Sequence, residues 1–422
     1  MSTPIVATEV TRSVFPNGLT CLVKTLPGSG AVAVHGYVKA GSIFDDGQPG
    51  LARFAGSALI RGTTRRTGPR IAEDLDAMGA SLSVAPGIEV TSLSARALAA
   101  DLPVLLAIAA EVLTAPAFPP DEIERVRSEL ITSIRVNALD TRQVAERAFR
   151  RLAYPAGHPH HQGPDGEESV VAGLSAGDLR AFHAQHYRPG AAIVAIVGDV
   201  DTGWAVDLAG AAFGSWRANG PWAMPVFPAP RPPDGLLKEE VAVPGKSQSD
   251  LVLGIPGIAR SDPEYYAVMM ANLFLGHLGM MGRIGQNVRE KQGMAYYAFS
   301  DLRAGLLAGP WWVRAGVNPA NVDRAIAAIL HEVKELQAYG PASDELADAR
   351  AYLTGSLAVR LETSQGIAQT LADIELFGLG LDHLERYPSI INGTSRDAIV
   401  RAIRRFPAEA YALAVAGPER RR

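Results

Sequence analysis

The same order of strand-like and helical segments occurs twice in this chain, once on each side of a proline-rich stretch. In the first half, residues 19–26 (LTCLVKTL) and 31–41 (AVAVHGYVKAG) are rich in β-formers and bounded by Asn-Gly and Gly-Ser-Gly turns, so both predict strands. Helical patterns follow at 50–61 and 70–78, the second stopped by Gly79. Residues 81–98 predict a β-hairpin turning at Pro86-Gly87. Long helices are expected over 102–113 and 120–137, and the continuous apolar run 191–200 (AAIVAIVGDV) predicts a buried strand. Between 213 and 233 the composition shifts to six prolines with few charges and no periodicity, which favours extended, semi-rigid backbone. Beyond it the order returns: a strand at 251–257, a helix at 263–276, strands MAYYAFSDL and PWWVRAGV, long helices at 321–338 and 342–361, and a last strand at 410–417. We read a tandem duplication of one α+β unit: a first domain over 1–213, a linker over 214–235 and a second domain over 236–422.

Composition excludes several function classes. The net charge of −4, without a long basic run before the terminal ERRR, gives no footing for nucleic acid or an anionic membrane as partner. Cys21 is the only cysteine, so neither an internal disulfide nor a thiolate metal site can form. The N-terminus lacks the basic and apolar regions of a signal peptide, and no apolar run reaches membrane-spanning length. A cytoplasmic location is expected, or a periplasmic one if a signal peptide has been removed.

Five stretches in order resemble one family. They are NGLTCLVKTLPGSGAVAVHGYVKAGSIFDD, GLARFAGSALIRGT, MGASLSVAPGIEVTSLSARAL, HYRPGAAIVAIVGDV and VREKQGMAYYAFSDL. Together they resemble the pitrilysin/insulinase group of zinc peptidases, in its small, processing-peptidase-like form. The resemblance implies two homologous α/β-sandwich domains forming one half of a clamshell. It also implies an inverted zinc motif, His-x-x-Glu-His, in which two histidines one helical turn apart hold the ion and the glutamate polarises a bound water. Laid on GLARFAGSALIRGT, the three motif positions are Arg53, Gly56 and Ser57. The family's third ligand, a glutamate from a later helix, falls on Ser133, with Glu129 one turn away. A permanent cation, a glycine and two hydroxyls cannot grip zinc, so no cofactor is expected in this chain.

Other chemistry has less footing. The cluster His158-Pro159-His160-His161 and the pair His183 and His186 have partial metal-ligand spacing, yet each reads more simply as packed structure. Cys21 has no base near it in sequence. Glycines 276, 279, 282 and 285 lack the ending of a phosphate loop and suit a tight turn with close packing.

The second half keeps what the resemblance makes functional. Arg289 and Tyr296, seven residues apart in REKQGMAY, match an arginine–tyrosine pair with which the family holds peptide substrate. Arg289 is expected in the last turn of a helix ended by Gly293, with Tyr296 early in the next strand, so that both can face one cavity. The resemblance thus implies a zinc-free subunit that contributes substrate contacts to a homologous, zinc-bearing partner in a heterodimer acting on peptides. A structural or assembly subunit, and a peptide-binding module without an enzyme partner, stand as alternatives.

Overall fold

The computed structural model describes residues 9–218, 220 and 222–419; expectations for residues 1–8 and 420–422 lie outside the described residues. The first sheet contains β1 (Thr11–Val14), β2 (Thr20–Thr25), β3 (Ala31–Val38), β4 (Ser81–Pro86), β5 (Thr91–Leu98) and β6 (Ala192–Gly198), in the order β1-β2-β6-β3-β5-β4. Only the β2–β6 pair is parallel. The second sheet contains β7 (Leu237–Ala242), β8 (Ser249–Pro256), β9 (Ala295–Leu302), β10 (Pro310–Val317) and β11 (Ala412–Gly417), in the order β7-β11-β8-β10-β9. Here too a single pair, β7–β11, is parallel. With β1 set aside, the two sheets have one topology, which is what a duplicated α+β unit requires.

The compact units are not contiguous in sequence, unlike the division into 1–213 and 236–422. One unit runs to Ile134, resumes over Pro164–Val226 and includes Leu357–Arg386; the other comprises Arg135–Gly163, Phe227–Ser356 and the chain from Tyr387 onward. Each unit therefore contains a helix from the opposite half of the chain.

In the first unit, β3 and β6 are buried along nearly their whole length because both faces are covered. The helix Ser364–Leu376 lies on β3 and β6, tied by a Tyr37 hydroxyl donating to Asp373 at 2.7 Å and by Gln365 donating to Ser94 Oγ at 3.0 Å. Four helices shape the rest of the unit's start. Helix α1 (Leu51–Ala58) buries Leu51, Phe54, Ala55 and Ala58 and leaves Arg53 and Ser57 half-buried. Helix α2 (Gly68–Ala77) is capped by the Thr67 hydroxyl, and Gly79 follows it at φ +59°. Helix α3 (Leu102–Thr114) packs on β5. Helix α4 (Pro120–Ala138) leads towards the second unit.

In the second unit, helix α5 (Thr141–Ala153) packs on β8 and β11. Strand alternation sorts the sheet's side chains between two cores. Leu251, Leu253, Ile255, Trp311, Val313 and Ala315 join one core, while Val252, Trp312, Ala412, Ala414 and Ala416 face Ala145, Ala148 and Phe149 of α5. Trp312 meets Phe149 edge-on with ring centroids 5.3 Å apart and lies 5.0 Å from the Arg150 guanidinium. Among the described residues no helix is long and apolar enough to cross a membrane. Because Trp312 is 1% exposed, Trp312→Ala is expected to cost about 3–5 kcal/mol, read as a lower urea midpoint for the second unit. A midpoint equal to wild type would show that α5 does not depend on this contact.

Candidate functional site

Two places in the chain carry the residues singled out by sequence, one in each unit. In the first, α1 starts after Gly50, whose φ of +101° turns the chain into the helix. The buried Asp45 carboxylate accepts the Gly50 and Ala52 N–H groups at 2.9 and 2.7 Å and so caps that helix. Burial pushes the Asp45 carboxyl up to about 6, and the two backbone donors oppose the shift.

Arg53 projects from α1 into a closed polar cluster. Its Nη1 is ion-paired with Asp165, and its Nη2 donates to Ser133 Oγ on α4 at 3.3 Å. The positions matched to a first histidine and a third-ligand glutamate thus meet, joined by a guanidinium and a hydroxyl. Ser57 sits one turn along α1, half-buried. Glu129 turns to Arg61, 2.6 Å away. At Gly56, a Cβ would meet Pro86 Cβ at 2.8 Å and Cγ at 3.1 Å, and the Tyr187 hydroxyl at 3.3 Å. The space that a glutamate stem needs is therefore filled.

These residues do not fit zinc. Arg53 brings a permanent positive charge where an ion would sit, Asp165 is neutralised by it, and the two serines are poor ligands. Among the described residues no group of three or more His, Cys, Asp or Glu side chains is gathered where it could hold a metal ion.

The histidines are packing elements. His158 packs against both Tyr154 and His160, at centroid distances of 4.9 and 5.5 Å. His158 Nδ1 accepts the His160 N–H at 3.2 Å, and His161 Nδ1 lies 2.8 Å from Tyr154 O. Burial pulls His158 down to about 4 and His160 to about 3, aided by His161 and by Arg150 respectively. His183 lies against Tyr187, with Nε2 at 2.9 Å from Leu113 O, and His186 packs on Phe44 and Phe182. The Cys21 thiol, buried in β2, is pushed up to about 12 and stays protonated. Gly282, at φ +65°, abuts Gly276 N, as expected for a tight turn.

In the second unit, residues 286–291 form a π-helical turn, closed by Gln292 N–H donating to Asn287 O at 3.1 Å. Gly293 follows at φ +59°, and β9 begins at Ala295. Arg289 in that turn points to Met280 Sδ at 3.4 Å. On β9, Gly316 of β10 opposes Tyr297 while Val317 opposes Ala295, so Tyr296 is the extra residue of a β-bulge. A bulge re-aims a side chain that alternation would send to the other face. Tyr296, 74% exposed, accordingly lines the same cavity as Tyr297 and Phe299.

That cavity, of about 280 Å³, is completed by Arg142, Glu146, Asp250, Val252 and Arg314; Arg289 is not part of its lining. Asp250, 1% exposed, accepts the Tyr297 hydroxyl at 2.6 Å, Gln248 Nε2 at 3.1 Å and the Thr141 hydroxyl. Burial, reinforced by the Asp250 contact, raises the Tyr297 hydroxyl well above its ordinary range. Arg314 pairs with Glu146 at 2.6 Å and Asp301 at 3.3 Å.

With this geometry in hand, similarity to known proteins is informative. Residues 21–159 match the model of insulinase, peptidase family M16, and residues 173–353 match the model of the peptidase M16 inactive domain. The chain belongs to peptidase family M16. It is 28% identical to an uncharacterized zinc protease of Streptomyces coelicolor over 87% of this chain and 80% of that protein. It is also 28% identical to one of Mycobacterium tuberculosis, over 98% and 94%. Among solved structures, an M16 inactive domain from Pseudomonas fluorescens superposes with a TM-score of 0.90 at 24% identity, covering 97% of this chain and 98% of that one. A protease from Helicobacter pylori gives 0.89 at 20%, covering 99% and 100%. Both likenesses show the M16 fold. The chemistry of the site must come from this chain's own residues.

Sequence reasoning missed Asp165, Pro86, Asp250 and Arg142. Each lies far along the chain from the residue it serves, and no local spacing marks it. Arg53→Ala removes the ion pair to Asp165 and the contact to Ser133 and is expected to cost about 1 kcal/mol, whereas Ser57→Ala should stay within about 0.5 kcal/mol; chemical denaturation measures both. The buried histidines set the acid response. Their folded pKa values lie below the unfolded value, so the unfolded chain binds more protons and stability falls as pH drops from about 6.5 towards 4. Replacing His158 and His160 together by Gln should flatten that part of the stability–pH profile; an unchanged slope would contradict the assignment.

Proposed function

We propose that this chain is a zinc-free M16 subunit that supports peptide hydrolysis at the metal of a homologous partner subunit. The observation that carries the reading is the asymmetry between its halves. The motif positions of the first half are locked by the Arg53–Asp165 pair and by Pro86 beside Gly56. The second half holds Tyr296 out on a bulge, exposed and free to meet another molecule. In this reading the partner supplies zinc, its ligands and the glutamate base. Tyr296 supplies a hydroxyl to the developing oxyanion, and Arg289 supplies donors to peptide carbonyls or carboxylates. Peptide would pair with a sheet edge, which gives affinity with little demand on sequence.

A structural or assembly role is the second reading, favoured by the absence of any replacement chemistry at the M16 motif. The two separate in one experiment. The chain is tagged, purified with the homologous subunit that accompanies it, and assayed for zinc-dependent peptide cleavage. Tyr296→Phe is expected to lower kcat by about 10² with assembly intact, and Arg289→Ala to raise KM. Wild-type kinetics in both variants would leave only the assembly role.

A further inference from the structure

We propose that the cavity of the second unit is a subsite for a carboxylate carried on an apolar stem, held by the Arg142 guanidinium. The carboxylate belongs either to an acidic side chain or to the C-terminus of a peptide. The inference rests on the reading that this chain touches peptide, and goes beyond it by naming the residue class that the chain selects.

The argument is one of commitment. Four charged side chains line the cavity, and three are engaged within the protein. Asp250 accepts from Thr141, Gln248 and Tyr297. Glu146 holds Arg314, whose other terminal nitrogen meets Asp301. Arg142 differs. It lies in the first turn of α5, with its backbone N–H donating to Asp140 at 2.8 Å. Its guanidinium lies 4.9 Å from the centre of the Tyr297 ring, and the acidic oxygen it faces, Asp250 Oδ1, is 3.9 Å away, beyond hydrogen-bond reach. The side chain is 55% exposed. The cavity's carboxylates are thus satisfied while one fork of donors is not. A second donor in the lining, Arg314 Nε, is buried without a partner. A planar fork of this kind accepts a carboxylate through two parallel hydrogen bonds.

The walls specify the stem. Val252, Tyr297 and Phe299 offer apolar surface, and the exposed Tyr296 joins the lining. About 280 Å³ suits a single side chain, smaller than most pockets for drug-sized molecules, which run about 300–1,000 Å³. A ligand cation would meet two guanidiniums and find the acidic oxygens already taken.

The test is fluorescence anisotropy on the full chain with four short labelled peptides of otherwise identical sequence. One carries an internal Glu and an amidated end, one Gln and a free C-terminus, one Gln and an amidated end, and one Lys and an amidated end. A carboxylate is expected to tighten binding about tenfold over the Gln amide, and the arm that shows the gain identifies its source. Arg142→Gln should abolish the gain at unchanged melting temperature, and Arg142→Glu should shift preference to the Lys peptide. Equal binding of all four peptides, tighter Lys binding by the wild type, no binding by any of them, or a gain that survives Arg142→Gln would overturn the proposal. These affinities are measured without a partner. A complex indifferent to both Tyr296→Phe and Arg289→Ala would therefore refute the supporting-subunit reading and leave the carboxylate preference standing, while lost preference with intact support would do the reverse.

Discussion

The local structure of the first unit is arranged around the guanidinium of Arg53, the residue that by resemblance matches a zinc-ligand histidine. Arg53 on α1 draws in Asp165 and reaches Ser133 on α4. One cation fixed by covalent bonds thereby joins segments that a metal ion would otherwise tie together. A guanidinium is a permanent cation and cannot give up that charge to make room for zinc. The glycine beside it removes the second requirement for hydrolysis, because Pro86 and Tyr187 fill the volume into which a general base would extend. Loss of chemistry here is a packed, hydrogen-bonded state and not merely a set of missing ligands.

The second unit is organised by a buried carboxylate. Asp250 sits next to Val252 on the face of β8 that meets α5, and there it takes hydrogen bonds from the helix start, from β9 and from its own strand's approach. A charge at that depth is tolerable only when fully engaged, so Asp250 fixes α5 against the sheet and orients Tyr297. The bulge one residue earlier then brings Tyr296 to the same side. Position of the exposed tyrosine is thus a consequence of backbone register and not of its own contacts.

Much of this was legible in the sequence, for physical reasons that can be named. Period-two runs and turn residues placed β4, β5 and β10 within a residue or so of where they lie, and the apolar run at 191–200 marked β6. Repetition of element order anticipated the shared topology of the sheets. Of the positions matched by resemblance, Arg53 and Ser133 lie in contact. Other features were invisible because they depend on contacts distant in sequence. The amphipathic pattern of α5 says that it packs, but not that it packs on the other half's sheet. The π-turn that sends Arg289 to Met280, and the bulge at Tyr296, arise from hydrogen-bond register that residue identities do not encode locally. Asp165 becomes meaningful only once the fold sets it beside Arg53.

The central claim is that the first domain's motif positions are closed to a divalent cation. Its most direct measurement is zinc titration of the purified chain alone by isothermal calorimetry at neutral pH, with bound metal then counted by mass spectrometry. The account predicts no stoichiometric binding. One equivalent of zinc held by the wild-type chain, and lost on Ser57→Ala or Ser133→Ala, would contradict it.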